Sequence, residues 1–163
     1  QKQELPFGLA VHIAAEVAAL RTSVRPDLFS GFSAAAFPDT SMAAFALTAA
    51  ADRTGDAILV EQVGMAVRDA VFEQGLDLAR PDLVAPIAAR FGLEPLDPQA
   101  TERAVRADWD EGKARGVIGS PHFFTGDGNS WFCPGLDISR DDLGNFVVTW
   151  KRGTEAFVDS VFG

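Results

Sequence analysis

Gly116 divides this sequence into two patterns that cannot form the same kind of layer. Before it, apolar residues recur at helical spacing between clear stop signals. After it, the short β-prone runs "HFF", "SWF" and "FVVTW" alternate with the turn clusters "TGDGN" and "SRDDLGN". A period near 3.6 buries a stripe and a period of two buries a face. The chain is therefore expected to be helical over residues 1–115, then to form a small antiparallel hairpin region over 116–163 closed by a last helix. Among 163 residues, 47% are hydrophobic and 23% charged, enough apolar material for one real core.

The helical part reads as four or five elements. Leu9, Ile13, Val17 and Leu20 share a stripe, with Glu16 and Arg21 off it. Residues 22–41 are rich in Pro, Gly and Ser and carry Phe29, Phe32 and Phe37, as in a loop pinned by aromatic anchors. Asp39, Thr40 or Ser41 caps an Ala-rich helix bearing Met42, Phe45 and Leu47, which Gly55 stops. A longer helix over residues 56–74 buries Ile58, Leu59, Val63, Val67, Ala70 and Val71. Gly64 inside it costs about 1 kcal/mol against alanine, which implies that another helix approaches there.

A short helix follows at residues 81–90, where Pro86 implies a kink or a late start. Asp97 as cap and Pro98 at the first position begin the next one, whose apolar side is Ala100, Ala104, Val105, Ala107 and Trp109. The closing helix, residues 154–162, turns Phe157, Val158, Val161 and Phe162 toward a core.

Charge narrows the partners. Fourteen Lys and Arg against 23 Asp and Glu leave a net charge of −9, which repels nucleic acid and anionic membranes alike. No apolar run approaches the roughly 20 residues of a bilayer span, and Glu4, His12 and Glu16 interrupt any signal-peptide pattern. The sequence reads as soluble, and one cysteine without a disulfide partner makes the cytoplasm the default compartment.

Spacing alone supplies little chemistry. His12, His122 and Cys133 form no familiar metal-ligand pattern. "GDGNSW" is most simply a hairpin turn, and Asp108/Asp110 and Asp141/Asp142 are solvated surface pairs. Cys133, between Phe132 and Pro134, is the single candidate nucleophile, and its simplest reading is an inert, buried thiol. Pro121 opens a strand-like run without a backbone donor, so it marks a strand start, an edge, or backbone kept unpaired for another purpose.

The order "AVRADWDEGKARG", "RGVIGSPHFF", a "GDG" hairpin, "WFCPGLDI" and a terminal helix resembles the DsbA-like branch of the thioredoxin fold. That branch holds dithiol-disulfide oxidoreductases, kappa-class glutathione transferases and hydroxychromenecarboxylate isomerases. The likeness is most specific over residues 67–137 and looser over 25–53. It implies an α/β, thioredoxin-like architecture with an inserted all-helical domain.

It also implies a cis bond at Pro121 and a substrate surface of Ser120, Pro121 and His122, where the backbone of Ser120 bonds an extended peptide or glutathione. Asp137 stands near the acid of an aromatic-x-Gly-x-Asp pattern, but one extra residue separates it from Phe132. The family's Cys-x-x-Cys pair or its serine substitute has no counterpart in the opening "QKQELPFGLAVHIAAEVAAL". The resemblance therefore implies that the active-site half of the domain is missing from this sequence.

The expected function is thiol-disulfide oxidoreduction, with no bound cofactor and with glutathione as a candidate cosubstrate. Glutathione-dependent isomerisation or transfer, and a redox-inactive binding role, are the alternatives. Expected partners are a thiol, a disulfide or another small molecule, with homodimerisation left open.

Overall fold

The computed structural model describes residues 8–163; Glu4 lies outside them. About half the chain is helical: α1 (Gly8–Ser23), α2 (Met42–Asp52), α3 (Ala57–Phe72), α4 (Pro81–Arg90), α5 (Pro98–Ala114) and α6 (Thr154–Phe162). Four short strands follow α5: β1 (His122–Phe124), β2 (Ser130–Phe132), β3 (Leu136–Arg140) and β4 (Phe146–Trp150). They form two separate antiparallel hairpins, β1 with β2 and β3 with β4, where one hairpin region was expected. β3 is the strand that pattern reading passed over, although its apolar Leu136 and Ile138 alternate with polar Asp137 and Ser139; of the five residues only Leu136 is partly covered. Among the described residues no strands pair in parallel.

The core lies among α2, α3 and α4. Leu47 and Ala51 from α2, Val63 and Ala70 from α3, Val84 and Ala88 from α4, and Leu78 from the α3–α4 connection are buried together. Alanines at the contacts let the helices pack closely. Asp56 begins α3 by accepting hydrogen bonds from Ile58 N (3.0 Å) and Leu59 N (3.2 Å), and Asp97 begins α5 in the same way through Gln99 N and Ala100 N (both 2.9 Å). Each carboxylate satisfies backbone donors that the first helical turn leaves unpaired.

Several expectations about burial change. Ile58, placed on the buried stripe of α3, is exposed: Leu59 and Val60 in the same turn pack against the core, and Ile58 lies on the solvent face with Glu61, Gln62 and Met65. Gly64 meets no close approach at all: a Cβ there would have nothing within 4 Å. Helix α4 begins at Pro81 and runs unbroken through Pro86. The proline faces solvent, so the carbonyl it leaves without an intrahelical donor can turn to water.

On α5 the deepest side chain is Thr101, which polarity hid from the apolar pattern. Its hydroxyl donates back to Asp97 O (2.9 Å), leaving its methyl free to pack. Trp109 is 67% exposed, because the covered part of α5 ends near Val105; Lys113 instead reaches over its ring.

Residues 24–41 fold back onto the end of α3. The rings of Phe29, Phe32 and Phe37 gather around Phe72, with centroid separations of 5.0, 5.9 and 6.4 Å. The Glu73 carboxylate accepts from Phe29 N (3.0 Å) and from Ser30 N (2.9 Å). Those hydrogen bonds, that from Ser30 N foremost, hold its pKa below the usual carboxylate value. The aromatic-anchored loop is thus bound at both its rings and its backbone.

Helix α1 packs against β4, not against the helical core. His12 meets the edge of Phe146 at 4.9 Å, and Arg140 lies over the same ring at 4.1 Å. The outer helix α6 is less covered than its pattern promised. Phe157 packs on Phe123 (5.0 Å) and Trp131 (5.9 Å), whereas Val158, Val161 and Phe162 remain exposed. Among the described residues, no helix is long and apolar enough to cross a membrane.

Candidate functional site

The candidate site is built where α5 gives way to β1. Gly116 adopts a positive φ of 75°, which ends the helix, and Val117 N bonds back to Gly112 O (2.9 Å). Gly119 then passes under the ring of Phe132: a Cβ at Gly119 would lie 2.8 Å from Cε2 of that ring. Only a residue without a side chain lets the backbone and the ring come so close.

The Ser120–Pro121 peptide bond is cis, the isomer that the resemblance assigns to it. Both residues are exposed. Among the described residues, neither the N–H nor the carbonyl of Ser120 has a backbone or side-chain partner. The carbonyl of Pro121 accepts from Cys133 N at 2.9 Å, which closes the β1–β2 hairpin at its open end. The structure therefore brings Cys133 to the residue beside Ser120, a proximity that spacing in the sequence could not reveal.

Cys133 has φ 43°, the left-handed region that non-glycine residues seldom adopt, and this turns the chain out of β2 toward β3. Its thiol is free and half-buried. Lys151, which follows β4, donates from Nζ to Phe132 O (3.2 Å) and from its backbone to Gly135 O (3.0 Å). Sequence reading missed Lys151 as a neighbour of this segment, and nothing in its local pattern marks it.

His122 is held on both nitrogens. Nδ1 accepts from Ile118 N at 3.4 Å, so the neutral ring carries its proton on Nε2 and donates to Ser130 Oγ at 2.7 Å. The ring also stacks on Phe124 at 4.6 Å. His122 braces the 118–122 turn and has no ring nitrogen left over for a substrate. Asp137 lies on β3, exposed and opposite Thr149 in the other hairpin; no hydrogen bond or ion pair among the described residues joins it to Ser120, Pro121 or His122.

No protein-family model, curated protein or solved structure matches the chain. Among the described residues no three His, Cys, Asp or Glu side chains gather as metal ligands.

The "GDG" tip serves to join elements. Asp127 accepts from Thr125 Oγ1 (2.6 Å), Asn129 N (3.0 Å) and Ser160 Oγ (2.5 Å), and Ser160 in turn accepts from Trp131 Nε1 (3.2 Å). The β1–β2 turn is thereby tied to α6. The Ser160 hydroxyl first, then Thr125 and Asn129, hold the Asp127 carboxyl well below the usual carboxylate range.

A carboxylate with a depressed folded pKa contributes stability that is complete above its unfolded value, about 3.9, and is lost as pH falls through the folded value. The Trp131 indole N–H resonance is accordingly expected to hold its position from pH 7 to pH 4 and to shift only at more acidic pH. Asp127→Asn should produce the shifted position at neutral pH. A resonance that moved between pH 7 and 5, or ignored the substitution, would count against this tie.

Proposed function

We propose that residues 116–163 hold an extended thiol- or disulfide-bearing peptide for thiol-disulfide exchange, in the manner of DsbA-like oxidoreductases. The observation that carries this reading is the unpartnered main chain of Ser120, exposed at the mouth of a turn that Gly119, His122 and Phe132 hold rigid. A backbone donor and acceptor side by side at the start of β1 match the pairing groups of an extended peptide, the basis of recognition by strand addition. Cys133 supplies a thiol within the same turn system.

In exchange, a thiolate attacks one sulfur of a disulfide and the other sulfur departs as a thiolate; net oxidation or reduction requires a second thiol. The sequence contains one cysteine, so the part assigned to these residues is substrate holding. Glutathione disulfide is the simplest probe, being a short extended peptide around a disulfide.

Ser120→Pro removes the N–H without breaking any native bond, and it should weaken the binding of glutathione disulfide about tenfold, the worth of one good hydrogen bond. Ser120→Ala keeps the backbone and should bind within about twofold of the parent. Titration calorimetry reads both. Equal affinity in the two variants, or no binding by the parent, would reject Ser120 as the contact.

A further inference from the structure

A broad concavity lies away from Ser120, between α2, α4 and the segment leading into α5. It encloses about 720 Å³, within the roughly 300–1,000 Å³ of pockets that hold small organic ligands. Its depth follows from sequence: Ala46 on α2 and Val84 and Ala88 on α4 are buried yet short, so facing helices leave space between them. Leu93 and Pro95 complete an apolar wall. The connection is fixed in place by Leu96 N, which donates to Ala46 O at 3.0 Å, so the concavity has a rigid frame.

The polar lining has one sign. Its polar lining residues are Thr40, Thr101, Glu94 and Glu102, and no Lys, Arg or His lines the space. Thr101 is satisfied by its own helix, and Glu102 is bridged by Arg106 at 3.3 Å. Glu94 enters no ion pair among the described residues. An apolar floor with an uncompensated carboxylate at its rim, in a protein of net charge −9, disfavours an anion and favours a cation at the mouth.

We infer that this cavity is a binding site for a water-dissolved, single-chain amphiphile with a cationic head: the hydrocarbon lies against Ala46, Val84 and Ala88, and the ammonium meets Glu94. Neither a peptide thiol nor the Ser120 turn takes part, so the site is independent of the function proposed above.

Dodecylammonium, dodecanol and dodecanoate, each titrated below its micelle-forming concentration, test the assignment by calorimetry. The expected result is saturable binding of one dodecylammonium per chain, about three- to fivefold tighter than dodecanol, with dodecanoate weakest, the small ratio reflecting a solvent-exposed carboxylate. Glu94→Gln should equalise dodecylammonium and dodecanol.

Ala85→Trp and, independently, Ala89→Trp fill the cavity from its exposed wall and should each weaken dodecylammonium more than tenfold. Ala107→Trp, on the exposed face of α5, should leave it unchanged. Circular dichroism melting identifies a filling variant that fails to fold, and the other then decides. Non-saturable binding, tightest binding of dodecanoate, or affinity indifferent to a folded filling variant would overturn the inference, the last by placing the amphiphile on the exposed apolar surface of α6 and the hairpins.

Discussion

Leu47→Ala is expected to lower the unfolding free energy by about 4–5 kcal/mol, in the upper half of the range for buried leucine truncations. Leu47 is fully buried, and α2 is the helix that packs against α3, α4 and α5 together. The cost of such a truncation is the lost transfer free energy plus the cavity that the surroundings fail to fill. Here the surroundings are poor at filling it, because several core neighbours, Ala44, Ala51, Ala70 and Ala88, have no side-chain reach. Closing the void would require whole helices to move.

Urea unfolding should show a lower midpoint with an unchanged slope, and thermal unfolding a loss of about 2–4 °C per kcal/mol. Leu47→Met, which conserves volume, should cost less than about 1.5 kcal/mol. A Leu47→Ala loss under 1 kcal/mol would show that α2 is not the centre of the core.

The second large effect is expected at Gly31. A Cβ there would lie 2.3 Å from Glu73 O, 2.4 Å from Glu73 C and 2.7 Å from Gln74 N. These are backbone atoms at the end of α3, so no rotamer change can make room. Gly75 meets the same place from the other side, with φ 68° and a Cβ position 2.4 Å from Gly31 O. Two glycines thus let two backbones touch, and the contact keeps Phe29 and Ser30 within reach of the Glu73 carboxylate.

Gly31→Ala should cost about 2–3 kcal/mol, as overpacking does when the neighbours cannot yield. Hydrogen exchange should show the loss of protection concentrated at the amides of Phe29 and Ser30. Gly64→Ala is the contrasting case: with open space around it and a helical backbone, it should stabilise by about 0.5–1 kcal/mol. Equal effects at the two glycines would contradict the packing described here.

These two glycines show where pattern reading stops. Gly64, inside a helix, looked like a close-packing residue, and Gly31, in a Pro- and Ser-rich stretch, looked like one more loop glycine. Their surroundings reverse the two roles. Propensity describes the conformation a residue permits and is silent about which distant backbone comes to meet it. The same limit applies to Thr101 and Trp109. A hydroxyl bonded to its own helix can be buried, and a large ring beyond the end of a contact stays in water. Composition cannot tell which length of a helix finds a partner.

In the candidate site, Pro121 was legible because a proline opening a strand-like run is a local backbone signal, whereas Ser120 and His122 entered only through the resemblance. His122 then proved to brace the turn through Ile118 and Ser130, while Asp137 lies on the other hairpin. The approach of Cys133 to Pro121, and of Lys151 to Phe132 and Gly135, depends on how two hairpins close, which spacing does not encode.

What the sequence determined by itself is a set of local elements: the helices of residues 42–114, the capping by Asp97, the turns at "TGDGN" and "DDLGN", and the break at Gly116. Each follows from interactions within a few residues, which are the same wherever the element lies. Only the tertiary structure decided that α1 leans on β4, that Gly31 meets Glu73, that Cys133 meets Pro121, and that short side chains on α2 and α4 leave a cavity between them. Those outcomes depend on the relative placement of surfaces distant in sequence, set by the packing of the whole and by no single segment of it.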